Sequence, residues 1–339
     1  MRRAEANVYR CPNCGHGFGL EIETAMEDEI VAGALVDAQG HRFAIRDGIP
    51  DLSYPPQLPP SDQDALAYYQ READVYDQYL PLTFGTFGVD EVAARNSMID
   101  GLALQPASKV LDMGCGSGRD SELIAKRLSA AGRLYLQDLS PAILNHAVTR
   151  MKESAVPTAF AVANGYHLPF ADHYFDACYH FGGLNTFGDI RRAFAEMTRV
   201  TRPGGKVVVG DESMPPWLRE TEFGRILMNS NPHYRYDLPL EHLPVEARNV
   251  SLRWIIGGVF YVFEFEVGIG EPTAAYDFAI PGPRGGTHRT RYYGHLEGVA
   301  PDVKALAQKA RAKSGKSMHA WLNETVRRAA EAELDDDAG

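Results

Sequence analysis

Three glycines at alternate positions follow a short apolar run in "VLDMGCGSGRD", residues 110–120. A backbone without Cβ atoms at Gly114, Gly116 and Gly118 lets a ligand approach the main chain closely. A phosphate-cradling loop would place Lys-Ser or Lys-Thr after the last glycine, whereas Gly118 is followed by Arg119-Asp120. A dinucleotide fingerprint would want its third glycine at 119, where Arg119 stands. Two carboxylates accompany the loop: Asp112 within the apolar run, and Asp138, 20 residues beyond Gly118, near the end of "LYLQDL". A carboxylate there can receive hydrogen bonds from two neighbouring hydroxyls. His167 and His180 follow, imidazoles able to take a proton near neutral pH. Cys11 and Cys14 form a Cys-x2-Cys pair and Cys115 and Cys178 are isolated, a set that suits metal binding or burial better than a disulfide framework.

The spacing Asp112-x-Gly114-x-Gly116-x-Gly118 resembles motif I of the class I S-adenosylmethionine-dependent methyltransferases, of the UbiE/methyltransferase-11-like kind. Three further segments carry the resemblance in the same order: "LYLQDLSPAIL", "ANGYHLPFADHYFDACYHF" and "TRVTRPGGKVVVGDE". Together they imply an S-adenosylmethionine cofactor. The glycines and Cys115 would pass under its methionine and ribose, and Asp112 would orient its amino group. Asp138 would take the ribose hydroxyls, beside Leu139. Asn164, where the family usually has Asp, and Gly165 would meet the adenine. The "YD" element in "YYQREADVYDQYL" resembles one that covers the cofactor in many small-molecule methyltransferases. This makes Tyr76 a cofactor contact and Tyr69 a substrate contact, with core packing as their other reading.

Positioning these residues requires strands that end at them. Strand-like runs at "KVLDMG", "RLYLQDL", "TAFAVAN", "FDACYHF" and "KVVVGDE" alternate with helical patterns at "RDSELIAKRLSAAG", "SPAILNHAVTRM" and "IRRAFAEMTRVT". Such alternation predicts an α/β, doubly wound Rossmann-like sheet. Residues 1–54 read as a small ribbon module, 55–212 as the cofactor-binding core with preceding helices, 213–298 as a β-rich substrate or lid region, and 299–339 as a helical pair ending in a fraying acidic "DDDAG". The linker "PPQLPPSD" ends at Ser61 or Asp62 as the expected N-cap of the first helix.

In the first module, "YRCPNCGHGF" and "GHRFAIRDGIPDL" resemble the halves of a zinc-ribbon-like unit attached to some methyltransferases, including enzymes acting on ribosomal RNA, and a small activator protein of RNA and protein methyltransferases. The resemblance implies a structural zinc ion held by Cys11, Cys14, Asp37 and His41, with Asp37 standing where those RNA enzymes have Cys. His16 is another fourth ligand. A metal-free ribbon held by Phe18, Phe43, Ile45 and Ile49 is the other reading.

Ligands in open α/β sheets bind beyond the carboxyl ends of the strands, so the methyl acceptor is expected near "HFGGLNT", residues 180–186. Asn185 is a candidate contact, and His167 and His180 are candidate proton acceptors. The segment lacks the Asn/Asp-Pro-Pro-Tyr tetrapeptide of enzymes that methylate amino groups of DNA bases or glutamine. Trp254 in the aromatic insertion is a candidate pocket wall, and Arg284, Arg289 and Arg291 are candidate grips for an anionic group, their other reading being a solvated loop.

The 339 residues carry 34 Lys plus Arg against 45 Asp plus Glu, a formal charge of -11. That balance argues against nucleic acid or an anionic membrane as a partner. The absence of an apolar stretch near 18 residues, and of a secretory start, sets the expectation of a cytoplasmic protein. The expected reaction is methyl transfer to a small aromatic or apolar metabolite. One alternative is ribosomal or transfer RNA methylation through the ribbon. Another is an S-adenosylmethionine-binding regulator whose C-terminus, with "RTRYYGHLEG" as ribbon strand, resembles ribbon-helix-helix proteins. Leu306, Met318, Trp321, Leu322 and Val326 give that region an apolar face suited to packing or to a homodimer.

Overall fold

Alternating and continuous apolar runs sort the chain into two sheets in the computed structural model, which describes residues 1–281, 283, 285–296 and 299–336. Phe18–Met26 (β1), Glu29–Asp37 (β2), Arg42–Arg46 (β3) and Ile49–Pro50 (β4) form a four-stranded antiparallel sheet in sequence order. Two helices follow, Pro60–Thr86 (α1) and Glu91–Ile99 (α2). The main sheet then alternates strand and helix: Lys109–Met113 (β5), Arg119–Ala125 (α3), Arg133–Asp138 (β6), Pro141–Met151 (α4), Thr158–Val162 (β7), Phe175–Phe181 (β8), Ile190–Val200 (α5) and Thr201–Glu212 (β9). After Glu222–Ser230 (α6), a hairpin of Ala247–Ile255 (β10) and Phe260–Val267 (β11) completes it.

The main sheet runs β10-β11-β9-β8-β5-β6-β7. β5 pairs in parallel with both β6 and β8, while β11 pairs antiparallel with β9 and with β10. Strand order therefore reverses between β5 and β8, a switch point that opens a crevice at the carboxyl ends of those strands. Side chains alternate across the sheet with period two. Val110, Leu134, Leu136, Ala177, Val208 and Val262 pack in one layer with Ile124 and Leu144, and Leu111, Met113, Tyr135, Cys178, Val207 and Phe263 pack in the other with Phe194 and Met197.

The N-terminal module covers the β7 edge, which would otherwise offer unpaired backbone groups. Asp51 bridges Val162 in parallel, Leu52 N donates to Val162 O at 2.8 Å, and Arg10 N donates to Pro169 O at 2.9 Å. Arg133 on β6 pairs with Glu5.

Three local expectations are corrected. Helix α1 starts at Pro60 with Pro59 in the N-cap position and no side-chain cap; Asp62 instead turns inward to bonds described below. Helix α3 stops at Ala125 because Arg127 N and Leu128 N bond to the carbonyls three residues back, and Ser129 N turns to Pro106 O at 2.8 Å. In the C-terminal unit, the expected ribbon strand "RTRYYGHLEG" contains helical residues.

Cα packing divides the chain into Met1–Pro272 and Thr273–Gly339. The second unit contains His288–Tyr293 (α7), Pro301–Ser314 (α8) and Met318–Asp336 (α9). Thr287 caps α7, its hydroxyl receiving Thr290 N, which is why this segment coils rather than extends. Tyr293 packs on His319 with ring centroids 5.1 Å apart. The end of the acidic tail, residues 337–339, lies outside the described residues. No described helix is long and apolar enough to cross a membrane.

Candidate active site

A cavity of about 800 Å³ opens at the carboxyl ends of β5, β6, β8 and β9, roofed by α1. Asp62, Tyr69, Tyr76 and Thr83 recur every seven residues along α1 and all line it. This is the spacing that keeps side chains on one helix face. Two polar anchors hold α1 there. Asp62 receives Tyr166 OH, Gly188 N at 2.9 Å and Asn164 Nδ2 at 3.3 Å. Asp77 receives Ser117 Oγ, Arg119 Nε at 3.2 Å and Arg150. These anchors tie the roof to the very loops that form the floor.

The floor is the glycine loop. Gly114, Gly116 and Gly118 have φ of +61°, +54° and +79°, a left-handed backbone that glycine adopts without steric penalty. Their surroundings differ. A Cβ on Gly114 would stand 3.1 Å from His180 Cε1, and one on Gly116 would meet nothing closer than 4.0 Å. One on Gly118 would lie 3.1 Å from Ala147 on α4. Gly114, Cys115 and Gly116 line the cavity; Gly118 does not, and serves helix packing instead. Gln137 fixes the loop, receiving Gly114 N at 3.3 Å while donating to Ala163 O.

Asp138 ends β6 at the cavity wall, receiving Gly116 N and Ser140 N, each at 2.9 Å. Burial pushes its carboxyl up to about 6, against the opposing pull of those N–H donors. Leu139, Asn164, Gly165, Tyr69, Tyr76 and Asn185 also line the cavity. Asn164 Oδ1 is already taken by Tyr166 N at 3.2 Å, so the amide is positioned by Tyr166 and Asp62 together.

Asp112 is a correction. It is buried, receives Ser121 Oγ, and does not line the cavity; burial holds its carboxyl far above the ordinary range.

The two histidines separate. His180 lines the cavity and is buried, with Nδ1 at 2.7 Å from Met113 O. A carbonyl only accepts, so Nδ1 carries the proton and Nε2 presents a lone pair; this Nε2 is buried without a partner. Burial lowers the imidazole to about 4, making His180 a neutral hydrogen-bond acceptor rather than a proton carrier at neutral pH. His167 does not line the cavity and packs against Tyr54 and Tyr166, with ring centroids 4.9 and 5.1 Å away. Its catalytic assignment is corrected to packing.

The acceptor-side candidates in the insertion also change. Trp254 packs against Trp217, ring centroids 6.0 Å apart, and is not a cavity wall. Arg289 and Arg291 belong to the C-terminal unit, bonded to Asp277 at 2.9 Å and to Gly285 O at 2.9 Å. Arg284 lies outside the described residues.

One end of the cavity is formed by Phe84, Phe181, Phe260, Tyr236, Glu212 and His233; sequence reasoning reached Phe181 within "HFGGLNT" and Phe260 among the insertion aromatics but not the other four. Glu212 Oε1 receives Asn231 Nδ2 at 2.9 Å, and Oε2 lies 3.6 Å from His233 Nδ1. Burial pushes Glu212 up to about 7. Its position at the end of β9, beside the same edge as Asp138, was the available signal. The lining arginines are engaged: Arg95 with Glu91 and Asp120, Arg119 with Asp77 and Glu91.

Away from the cavity, Cys11, Cys14, Asp37 and His41 bring their ligand atoms within 4.8 Å of one another. Cys14 Sγ lies 2.9 Å from Asp37 Oδ2, and both sulfurs lie 3.8 Å from His41 Nδ1. Tetrahedral zinc with bonds of about 2.0–2.3 Å separates its ligand atoms by roughly 3.3–3.8 Å; the donor types and the sulfur–imidazole distances suit it, while Asp37 Oδ2, 2.9 Å from Cys14 Sγ and 2.7 Å from His41 Nδ1, would have to move outward by about half an ångström to admit the ion. Asp37 Oδ1 is occupied by Gln39 N and His41 N at 2.8 and 3.0 Å, which leaves Oδ2 facing the cluster.

Residues 110–205, from β5 into β9, match the family described as "Methyltransferase domain". The chain carries a methyltransferase domain. That span holds the glycine loop, Asp138, Asn164 and the switch point, and the sheet is the Rossmann-like sheet of class I methyltransferases. The methyltransferase core is similar to the "Ubiquinone/menaquinone biosynthesis C-methyltransferase UbiE" of Bordetella parapertussis, 32% identical over 150 residues, covering 40% of this chain and 56% of that protein. The enzyme of the same name from Cupriavidus pinatubonensis is 36% identical over 106 residues, covering 31% of this chain and 44% of that protein. The chain thus spans about half the length of the curated relatives it matches. Among solved structures, the YcgJ protein of Bacillus subtilis superposes with a TM-score of 0.41 at 15% identity, covering 53% of this chain and all of that one.

Proposed function

We propose that this methyltransferase transfers the methyl group of S-adenosylmethionine to a small molecule with an apolar ring. The observation that carries the reading is Asp138, a carboxylate at the end of β6 bonded to the glycine loop through Gly116 N and facing a cavity large enough for cofactor and substrate together. In this reading the glycine loop and Leu139 lie against the methionine and ribose, and Asp138 takes the ribose hydroxyls. Asn164 and Gly165 meet the adenine, and Tyr76 covers the cofactor. The bound cofactor supplies an electrophilic methyl on a sulfonium; the chain aligns donor and acceptor and excludes water. Tyr69 and Asn185 are assigned to the methyl acceptor. The aromatic end of the cavity supports a flat apolar acceptor, as do relatives named for C-methylation in ubiquinone and menaquinone biosynthesis. A structural zinc in the Cys11, Cys14, Asp37, His41 cluster, and a homodimer through the C-terminal helices, belong to the same proposal.

Calorimetric titration with S-adenosylhomocysteine tests it. Asp138→Ala should lose about 1.5–3 kcal/mol, as expected for hydrogen bonds to a charged group, or roughly 10- to 150-fold in affinity. The pH dependence has a definite sign. With its carboxyl at about 6, Asp138 is ionised and best able to receive the hydroxyls above that pH, so affinity should weaken as pH falls through 6. Unchanged affinity in the variant removes Asp138 from the site.

A further inference from the structure

We infer that Glu212 is a specificity-determining residue that selects a methyl acceptor carrying a hydroxyl on its apolar ring, by receiving the hydroxyl hydrogen. This rests on the methyl-transfer reading and deepens it.

The geometry comes first. Glu212 closes β9 on the cavity edge, among the rings of Phe84, Phe181, Phe260 and Tyr236. Its backbone is pinned from two sides: Glu212 N donates to Asp211 Oδ1 at 2.8 Å, and Glu212 O receives Asn185 Nδ2 at 2.8 Å. Its carboxylate has one short side-chain donor, Asn231 Nδ2 at 2.9 Å, and His233 Nδ1 farther off at 3.6 Å. Two carboxylate oxygens offer about four lone pairs, and Asn231 and His233 take up two of them at most, so the group keeps acceptor capacity toward the cavity. Leaving a charged acceptor buried and unserved is costly, and a ligand hydroxyl relieves that cost.

A second, independent observation points to the same ligand chemistry. His180 also lines the cavity, and its buried Nε2 has no partner while Nδ1 is committed to Met113 O. The aromatic end of the lining and its neighbour thus offer hydrogen-bond acceptors in His180 Nε2 and, once ionised above about pH 7, the Glu212 carboxylate. Its arginines, Arg95 and Arg119, are tied to carboxylates. An anionic ring would face Glu212 with no uncommitted arginine in the described lining to compensate it. A ring without a donor would leave both acceptors unserved. A neutral ring bearing a hydroxyl satisfies the site.

The test uses the full chain saturated with S-adenosylhomocysteine and three ring probes, followed by ligand-observed NMR: 4-methylphenol, its methyl ether 4-methylanisole, and 4-methylbenzoate. The expected result is that 4-methylphenol binds at least about 10-fold tighter than the ether, in keeping with a hydrogen bond to a charged acceptor, and that the benzoate binds weakest. In E212Q the preference for the phenol should fall to about twofold or less, and in H233A it should persist. A folding defect would lower affinity for both neutral rings together and leave their ratio unchanged, so the ratio reports on the role itself. Equal binding of phenol and ether by the natural chain, no detectable binding of either, tighter binding of the benzoate, or an unchanged ratio in E212Q overturns the proposal. S-adenosylhomocysteine affinity is measured alongside. Its absence sinks the methyl-transfer reading, whereas its presence without phenol selectivity sinks only the role of Glu212.

Discussion

Gly116 and Gly118 share a left-handed backbone two residues apart, yet they answer to different neighbours. An alanine at 118 combines the αL penalty with a Cβ 3.1 Å from Ala147 on α4, which must yield. One at 116 meets only the αL penalty, because its Cβ would point where nothing stands within 4.0 Å. Gly118→Ala should therefore cost about 1–3 kcal/mol of stability, read by denaturant unfolding. Gly116→Ala should cost about 1 kcal/mol but weaken S-adenosylhomocysteine binding at least about tenfold, since the proposed binding mode puts the cofactor in that space. The reverse pattern would mean that the loop meets the cofactor at 118 and not at 116. Chain spacing alone groups these glycines; only packing separates them. Asp138 was legible because it sits a fixed helix and strand beyond the loop. Asp62, Asp77 and Glu212 were not. Asp62 meets Asn164 across 102 residues and Asp77 meets Ser117 across 40, and such pairings leave no local pattern.

Strands and helices of the core were legible for a simple reason: each parallel strand is buried on both faces and reads as an apolar run. The failures occurred where a local signal had two outlets. Asp62 reads as an N-cap after a proline run, but a buried hydroxyl and two N–H groups from the 164–188 stretch compete for it and win. "RTRYYGHLEG" has strand-forming residues, but behind the Thr287 cap its first five, residues 289–293, are helical. The Cys-x2-Cys loop and the β2–β3 turn are a different case: Asp37 stands in place of one expected Cys while His41 keeps its position, and the four residues named from sequence do converge. Their convergence within 4.8 Å predicts about one zinc per purified chain by elemental analysis. Cys14→Ser and Asp37→Ala should each remove it. Stripping the metal should lower Tm by about 5 °C or more, because a ligand bound only by the folded state stabilises it. A chain that holds no metal as purified, takes up none from added zinc, and melts unchanged with chelator would leave the ribbon held by its apolar residues Phe18, Phe43, Ile45 and Ile49 alone.

At the scale of the whole molecule, the main sheet, the residues lining the cavity and its roof all lie within Met1–Pro272, and Thr273–Gly339 forms a second compact unit. The two units carry different surfaces. In the second, Leu306, Val326 and Tyr292 are 66%, 59% and 72% exposed, on helices with little apolar interior of their own. These are the side chains that the proposed homodimer would cover. Ending the chain at Pro272 should leave S-adenosylhomocysteine affinity within about twofold of the full-length value, because none of the proposed cofactor contacts lies beyond that point. The mass in light scattering should fall from dimer to monomer. A full-length chain that is already monomeric would remove the C-terminal helices from any role in assembly. A truncated chain that folds but loses cofactor affinity would make residues 273–339 part of the cofactor's enclosure. The two measurements thus separate what the C-terminal unit does for association from what it does for the site.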